Sequence, residues 1–338
     1  MQCLIFSQPI FFHTLIGKEL TTMGRGKTVS QQLREESKKF FKDRYANDVT
    51  RKAYIRNYRK FIEYCRENFK CKSKEECGQH IADYSAYLQS KGYTPSTVHT
   101  LLSPVCTFHS INMKEIEKPK RKTAHYKRGR SFNGKVQRSD NDLSNEKYAR
   151  TVKFQSRVGI RRAELMRLKG DDLVRDESNY LCIRVKRGKG GKYQLQRLLH
   201  EDIDSVKSFF DGKAPDEPLF NKAEFQNKIP YHYLRAMQAQ RAYKYYERLC
   251  LTKRGRESLA REIRRRWNTY NLHPRTGKPK RFKESLIQGT YCLRGDNKKF
   301  AIQHGLPIRY DKLPLLAVSI FHLSHWRNAI TVNYLLTI

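Results

Sequence analysis

Acidic residues are scarce in this chain. It has 33 Asp and Glu against 69 Lys and Arg, a formal net charge of +36 over 338 residues. An isolated charge of that size repels itself and implies a polyanionic partner. Nucleic acid is the first choice, because its condensed counterions are released on binding. Long apolar runs are also missing. None reaches the roughly 18–20 residues that a membrane span needs, and the apolar Leu313–Leu323 is too short. The eight cysteines contain no CxxC pair. Cys65, Cys71 and Cys77 recur every six residues with His80 nearby. That spacing is wider than metal-ligand patterns normally show, so the sequence reading is reduced intracellular thiols and no metal site. The first 22 residues include an apolar stretch, Cys3–Phe12, without the basic start or small-residue cleavage site of a signal peptide. Met23, which opens the basic Gly24-Arg25-Gly26-Lys27, is the expected true start, and residues 1–27 are set aside as an N-terminal extension. Neither a P-loop nor an internal repeat nor an RNA-recognition motif is visible.

What is present suffices for a core: 38% of residues are hydrophobic and 12% aromatic, in a chain long enough for two domains. Residues 28–117 read as about four short helices with basic faces. Thr50 is placed as an N-cap. After it Tyr54, Tyr58, Phe61, Tyr64 and Cys65 recur at helical spacing, while Arg51, Lys52, Arg56, Arg59 and Lys60 fill other faces. Gly92 and Pro95 mark a turn, and Ser96 or Thr97 starts the next helix. Residues 118–141 are too basic and too punctuated by Gly and Pro to pack a core. This linker would be a strap along a DNA backbone or a hinge, with Lys120, Arg121, Lys122, Lys127, Arg128 and Arg130 as candidate DNA contacts.

From residue 142 the pattern changes. One helix carries Tyr148, Val152, Phe154 and Val158, and a second starts near Arg161 and runs to about Leu168. Tyr180–Val185 reads as a strand, Lys186–Lys192 as a turn and Tyr193–Leu199 as the return strand. Helix-rich sequence follows. The expected fold class is mostly α with a small antiparallel β-sheet.

Two groups of residues carry a more specific signal. The first is Gly159-Ile160-Arg161-Arg162-Ala163-Glu164-Leu165, followed by Asp171-Asp172-Leu173 and a Gly188-Lys189-Gly190-Gly191-Lys192 hairpin turn. The second is His325-Trp326-Arg327-Asn328-Ala329-Ile330-Thr331-Val332-Asn333-Tyr334-Leu335, with His325 nine residues before Tyr334 (334 − 325). In this order the boxes resemble the tyrosine recombinase (phage integrase) family. There, a Gly-hydrophobe-Arg-x-x-Glu-Leu box opens a helix, a Gly-Lys-Gly hairpin follows, and a His precedes the nucleophilic Tyr by nine residues. The family's intermediate His-x-x-Arg box has two candidates here. His232-Tyr233-Leu234-Arg235 keeps the His and places Ala239 four residues after the Arg, where the family has an Ala that lets the helix approach the sheet. Tyr291-Cys292-Leu293-Arg294 has Lys298 at that place. The first is preferred, which leaves an insertion at about residues 245–312. Ser324 stands where the family usually has Gly before the last His.

The resemblance implies a helical core-binding (SAM-like) domain over residues 28–117, a linker over 118–141 and a catalytic domain over 142–338, together clamping duplex DNA. It implies a site-specific integrase of a mobile element that cleaves and rejoins DNA through a 3′-phosphotyrosyl intermediate. Tyr334 is then the nucleophile, with Arg161 and Arg235 on the non-bridging oxygens. His232 is assigned as base for the phenol, His325 as donor to a phosphate oxygen, and Lys189 as acid for the departing sugar oxygen. Glu164 buttresses Arg161, and Arg162 is the rival for the arginine role. The covalent intermediate keeps the bond energy, so neither ATP nor metal is required and no cofactor is expected. Expected partners are double-stranded DNA, three further copies in a synaptic homotetramer and an accessory directionality factor, but no membrane. The expected location is cytoplasmic, at the nucleoid. The rival readings are a type IB topoisomerase-like or dimer-resolving strand transferase, a catalytically decayed DNA-binding protein, and a basic RNA-binding protein.

Overall fold

The structure is a computed structural model that describes residues 27–120, 138–273 and 276–337. Arg121, Lys122, Lys127, Arg128 and Arg130, proposed above as DNA contacts, lie outside the described residues, as do residues 1–26. The chain divides into two compact units, Met1–Lys122 and Thr123–Ile338. As expected, it is mostly helical with small antiparallel sheets. Among the described residues no helix is long and apolar enough to cross a membrane.

Among its described residues the N-terminal unit has helices and no strand: α1 (Val29–Arg44), α2 (Asp48–Asn68), α3 (Lys74–Gln79), α4 (Ile81–Ser90) and α5 (Pro95–Phe108). That is one more helix than expected. The aromatic stripe of α2 does face inward: Tyr58, Phe61 and Tyr64 are buried, with Phe41 of α1, Tyr84 of α4 and Phe108 of α5 around them. Their rings meet edge-on or tilted, as at Phe41–Tyr58 and Phe61–Tyr84, which aromatic quadrupoles favour. The start of α2 differs from the expectation. Asn47 is the N-cap, its side-chain carbonyl accepting from the amides of Val49 and Thr50. Thr50 is already inside the helix. Helix α5 starts at Pro95 with Thr94 as cap, its hydroxyl accepting from the Thr97 amide. Proline suits this first position, where its missing N–H costs nothing.

The C-terminal unit begins with α6 (Arg138–Ser144), α7 (Ala149–Val158) and α8 (Arg162–Leu165), followed by the antiparallel sheet β1 (Leu173–Arg175), β2 (Leu181–Val185) and β3 (Gln194–Arg197) in the order β1-β2-β3. After α9 (Ile203–Lys207) come the long α10 (Tyr231–Leu249) and α11 (Lys253–Tyr270). A second ribbon, β4 (Thr290–Cys292) with β5 (Arg309–Asp311), brackets α12 (Gly295–Gln303). Helices α13 (Lys312–Phe321) and α14 (Asn328–Leu335) close the fold. Helix α8 is a single turn and stops short of the expected Leu168. The chain is drawn out of it by backbone pairing: the Leu219 amide donates to Leu168 and the Gly170 amide to the Glu217 carbonyl.

Helix α13 is buried along its length and forms the centre of one core with α10, α11 and α14. Residues 245–312, expected as an insertion, are therefore built into this core: Leu259, Ile263 and Trp267 of α11 pack in it beside Leu315 and Phe321. Ala239 is fully buried on α10, whose main contacts are with α7, α13 and α14.

Candidate active site

The turn between α7 and α8 is shaped by Gly159. It ends α7 in a left-handed conformation (φ +66°), and a Cβ there would stand 3.0 Å from Gln238 Cβ and 3.4 Å from Arg235 Cα. Only glycine satisfies both constraints. The buried Gln155 amide donates to the carbonyls of Ile160 (2.6 Å) and Tyr231 (3.3 Å), tying this turn to the start of α10.

Arg161 follows as the residue before α8, and Glu164 holds it twice. The Arg161 amide donates to Glu164 Oε2 (3.0 Å) and Arg161 Nη1 to Oε1 (2.7 Å). The same Oε1 accepts from Gln194 Nε2 (3.0 Å) and from the Lys189 amide (3.3 Å). One buried carboxylate thus fixes the arginine, strand β3 and the hairpin turn. Burial pushes the Glu164 carboxyl upward, but the charge and hydrogen bonds of Arg161, with Arg235 behind, outweigh this and hold it below the usual carboxylate range. Arg162 turns elsewhere: its Nη2 donates to the Phe225 carbonyl (2.5 Å) and its guanidinium covers Tyr231 (5.8 Å).

On α10, His232 and Arg235 share a face because they are three residues apart. Arg235 is buried. Its Nη1 donates to the Gly159 carbonyl (2.5 Å) and Nη2 to the Leu323 carbonyl (2.9 Å), while Nε is buried with no acceptor. Among the described residues no carboxylate pairs with it. Burial lowers its pKa, offset in part by the Tyr334 phenol. The rival Arg294 is exposed at the start of α12, on the β4–β5 ribbon.

Tyr334 lies near the end of α14. The Gln240 amide holds that end, donating to the carbonyls of Tyr334 (3.2 Å) and Thr337 (2.7 Å). The Tyr334 ring neighbours two imidazoles, with centroids 5.7 Å from His232 and 6.0 Å from His325, and lies 5.8 Å from the Arg235 guanidinium. His325 Nε2 is 3.4 Å from the Tyr334 hydroxyl. The imidazole in reach of the phenol is therefore His325, whereas the family resemblance assigns the base role to His232. A tight loop presents His325. Ser324 (φ +53°) and Trp326 (φ +58°) are both left-handed, and Ser319 fastens the loop by accepting from the His325 amide at its carbonyl and by exchanging hydrogen bonds with Arg327. The positive φ is the physical reason that glycine suits position 324.

Both histidines are held in the neutral form. Burial first, then the charges of Arg235, Arg161, Arg327 and Lys189, push His325 down to about 4. Partial burial of the ring, then Arg235, Arg161 and Lys189, lowers His232, an effect moderated by the exposure of the residue as a whole. Lys189 itself is exposed on the hairpin turn, near enough for its charge to act on both rings. Lys120 is exposed at the end of the N-terminal unit.

The structure thus brings Arg161, Glu164, Lys189, His232, Arg235, His325 and Tyr334 together. The sequence reading missed the residues that hold them, Gln155, Gln194, Gln240 and Ser319, because single glutamines and serines carry no spacing signal. It also missed a cleft of about 620 Å³ behind Glu164, lined by Arg167, Lys169, Arg184, Lys186 and Arg187. Asp171 and Asp172 pair with Arg184 and Lys186 there, leaving the other three cations as the basic rim.

No known family model and no curated protein matches the sequence. Among solved structures, that of XerA recombinase is similar, at 18% identity over 62% of this chain and 83% of that chain, with a TM-score of 0.22. A likeness of that size fixes neither fold nor function.

Proposed function

We propose that the chain is a tyrosine-type DNA strand transferase acting as a site-specific recombinase of a mobile element, with Tyr334 as nucleophile. The observation that carries the reading is a buried, unpaired guanidinium, Arg235, beneath a tyrosine flanked by two neutral imidazoles. A buried cation without a counter-ion is costly, and a phosphodiester supplies both the missing charge and an acceptor for Nε. Arg161 adds a second guanidinium, and two forked donors on one phosphate stabilise the charge of its transition state. His325, neutral and 3.4 Å from the hydroxyl, is placed to take the phenolic proton as the Tyr334 oxygen attacks phosphorus. Apo contacts of this kind commonly tighten when substrate binds. The P–O bond to the departing sugar breaks as the Tyr–P bond forms, and Lys189 delivers a proton to the leaving oxygen. His232, whose ring also neighbours Tyr334, donates to a phosphate oxygen once the anion has raised its pKa. Reversal by a sugar hydroxyl rejoins the strand, so the bond energy is conserved.

The surplus of 36 positive charges supports a duplex DNA partner. Recombination would take place in a synaptic tetramer at the nucleoid, assisted by a directionality factor. The test is covalent trapping on DNA from the ends of the element that encodes the chain, nicked near the cut site so that rejoining fails. Wild-type protein should form an adduct stable on a denaturing gel, and Tyr334→Phe should form none. Tight binding of the same DNA without an adduct would favour a purely DNA-binding protein.

A further inference from the structure

The wide spacing of Cys65, Cys71 and Cys77 predicts separate thiols. In the structure they converge: their three Sγ atoms all lie within 4.8 Å of one another. Three elements deliver them. Cys65 is in the last turn of α2, Cys77 is in α3, and Cys71 lies in the connection between them. Lys70 adopts a left-handed conformation (φ +50°) and turns that connection back toward α2. Cys65 and Cys77 are buried in the aromatic core, while Cys71 is half-buried. All three line a cleft of about 420 Å³ whose rim includes Arg34, Arg66 and Lys70.

From this geometry we propose that Cys65, Cys71 and Cys77 bind a zinc ion that pins α3 to the end of α2. Zinc–sulfur bonds of about 2.3 Å at tetrahedral angles place sulfurs about 3.8 Å apart. The observed spread reaches this by small rotations of the thiols. Each thiol loses its proton to water on binding, since the thiolate is the ligand. The basic rim favours the net negative charge of three thiolates on one dication. Nearby His80 is engaged elsewhere, stacked on Phe69 (3.6 Å) with Nδ1 2.9 Å from Asp83, so the cleft leaves the fourth position to water. Soft thiolates select zinc over magnesium or calcium. Among the described residues no other group of His, Cys, Asp and Glu converges in this way.

The test is titration of the reduced full-length chain with cobalt(II) as spectroscopic probe. One equivalent should produce sulfur-to-cobalt charge-transfer absorption, discharged by one equivalent of zinc, and zinc should raise the melting temperature. Cys71→Ser, at the half-buried position, should weaken the band by at least one sulfur's share. Cys292→Ser, at the exposed cysteine outside the cluster, should leave it unchanged. The proposal is overturned if the wild-type chain shows no charge-transfer band, if Cys71→Ser leaves the band intact, or if the intact mass reveals a disulfide within the cluster. The wild-type titration decides the matter even where a variant does not fold.

Discussion

Three arginines in the C-terminal unit are equally buried, Arg197, Arg266 and Arg235, each 2% exposed. Arg197 and Arg266 lie between the sheet and α11, surrounded by acids. Arg197 Nε donates to Asp176 (2.6 Å) and its Nη1 to Glu262; Arg266 donates to Asp176, to Glu177 (2.6 Å) and to the Leu195 carbonyl (2.9 Å). Arg235 has two carbonyls and no acid. Burial is the same and partnership is opposite. A cation matched by carboxylates has its charge balanced within the fold, even though Arg197 Nη2, like Arg235 Nε, is buried without an acceptor, and its work is to fasten α11 to the sheet. A cation left unmatched stores an attraction that only an anion from outside can satisfy. The difference separates structure from function more sharply than burial or residue type does.

The strongest way to break the comparison is to disturb each region. Asp176→Asn should destabilise the unit by about 3–5 kcal/mol, because two buried guanidiniums lose their shared counter-ion. Arg235→Met keeps volume and removes an unpaired charge, which favours the fold, but it abandons the carbonyls of Gly159 and Leu323 at about 1–3 kcal/mol each. The two effects oppose, so stability should change by no more than about 2 kcal/mol. Covalent adduct formation should nevertheless fall by at least about 10²–10³-fold, the effect of losing one donor to a developing charge. Chemical denaturation and the trapping assay read the two quantities separately. If Arg235→Met unfolded the protein and Asp176→Asn did not, the assignment of roles would be reversed.

A second test sharpens the comparison through protons. In the free chain His325 titrates at about 4 and His232 below its ordinary value, through burial and through cations among which Arg235 has no paired anion. A bound phosphate supplies that anion and should raise both. DNA binding should then take up protons and tighten as pH falls from about 8 toward 5. Calorimetry in buffers of different ionisation heat measures the uptake, and His232→Asn should remove its share. Stability of the free chain runs the other way. The folded pKa of His325 is depressed, as are those of the buried His322 (about 3) and His109 (about 4). Their stabilisation is complete above the unfolded value near 6.5 and is lost as pH falls toward 4. Binding and stability with the same pH slope would show that the cations around Tyr334 do not set the histidine pKa values.

The contrast also explains what was legible in the sequence. Gly159, Arg161 and Glu164 form a local box whose geometry is fixed within one turn, so their spacing foretold the hydrogen bonds between them. Strand β2 and its return were readable from β-rich composition and the glycine-rich turn. Burial of Arg235, by contrast, is decided by Leu323, which is 88 residues away in the chain. The thiol cluster depends on one left-handed lysine, and no periodicity encodes that. The start of α2 was misplaced by three residues because Asn47 and Thr50 are both competent caps, and side-chain hydrogen bonding decides between them.

The smallest effect concerns backbone strain in the loop that presents His325. Ser324 and Trp326 flank His325 with φ values of +53° and +58°. A non-glycine residue in this region costs about 1–2 kcal/mol. Ser324→Gly relieves that cost but makes the unfolded chain freer, returning about 0.4–1 kcal/mol. The net gain should be a few tenths to about 1 kcal/mol, a rise in melting temperature of about 1–3 °C for a unit of this size. Trp326→Gly removes the same strain and should still destabilise. Its ring stands edge-on to Trp267 (5.8 Å, 82°) and packs on the α13 core, so burial worth about 1.5–3 kcal/mol is lost with it. Opposite signs at two positions with nearly the same φ would separate the cost of the loop's conformation from the value of its packing. Equal signs would mean that the conformation of the His325 loop is set by neither.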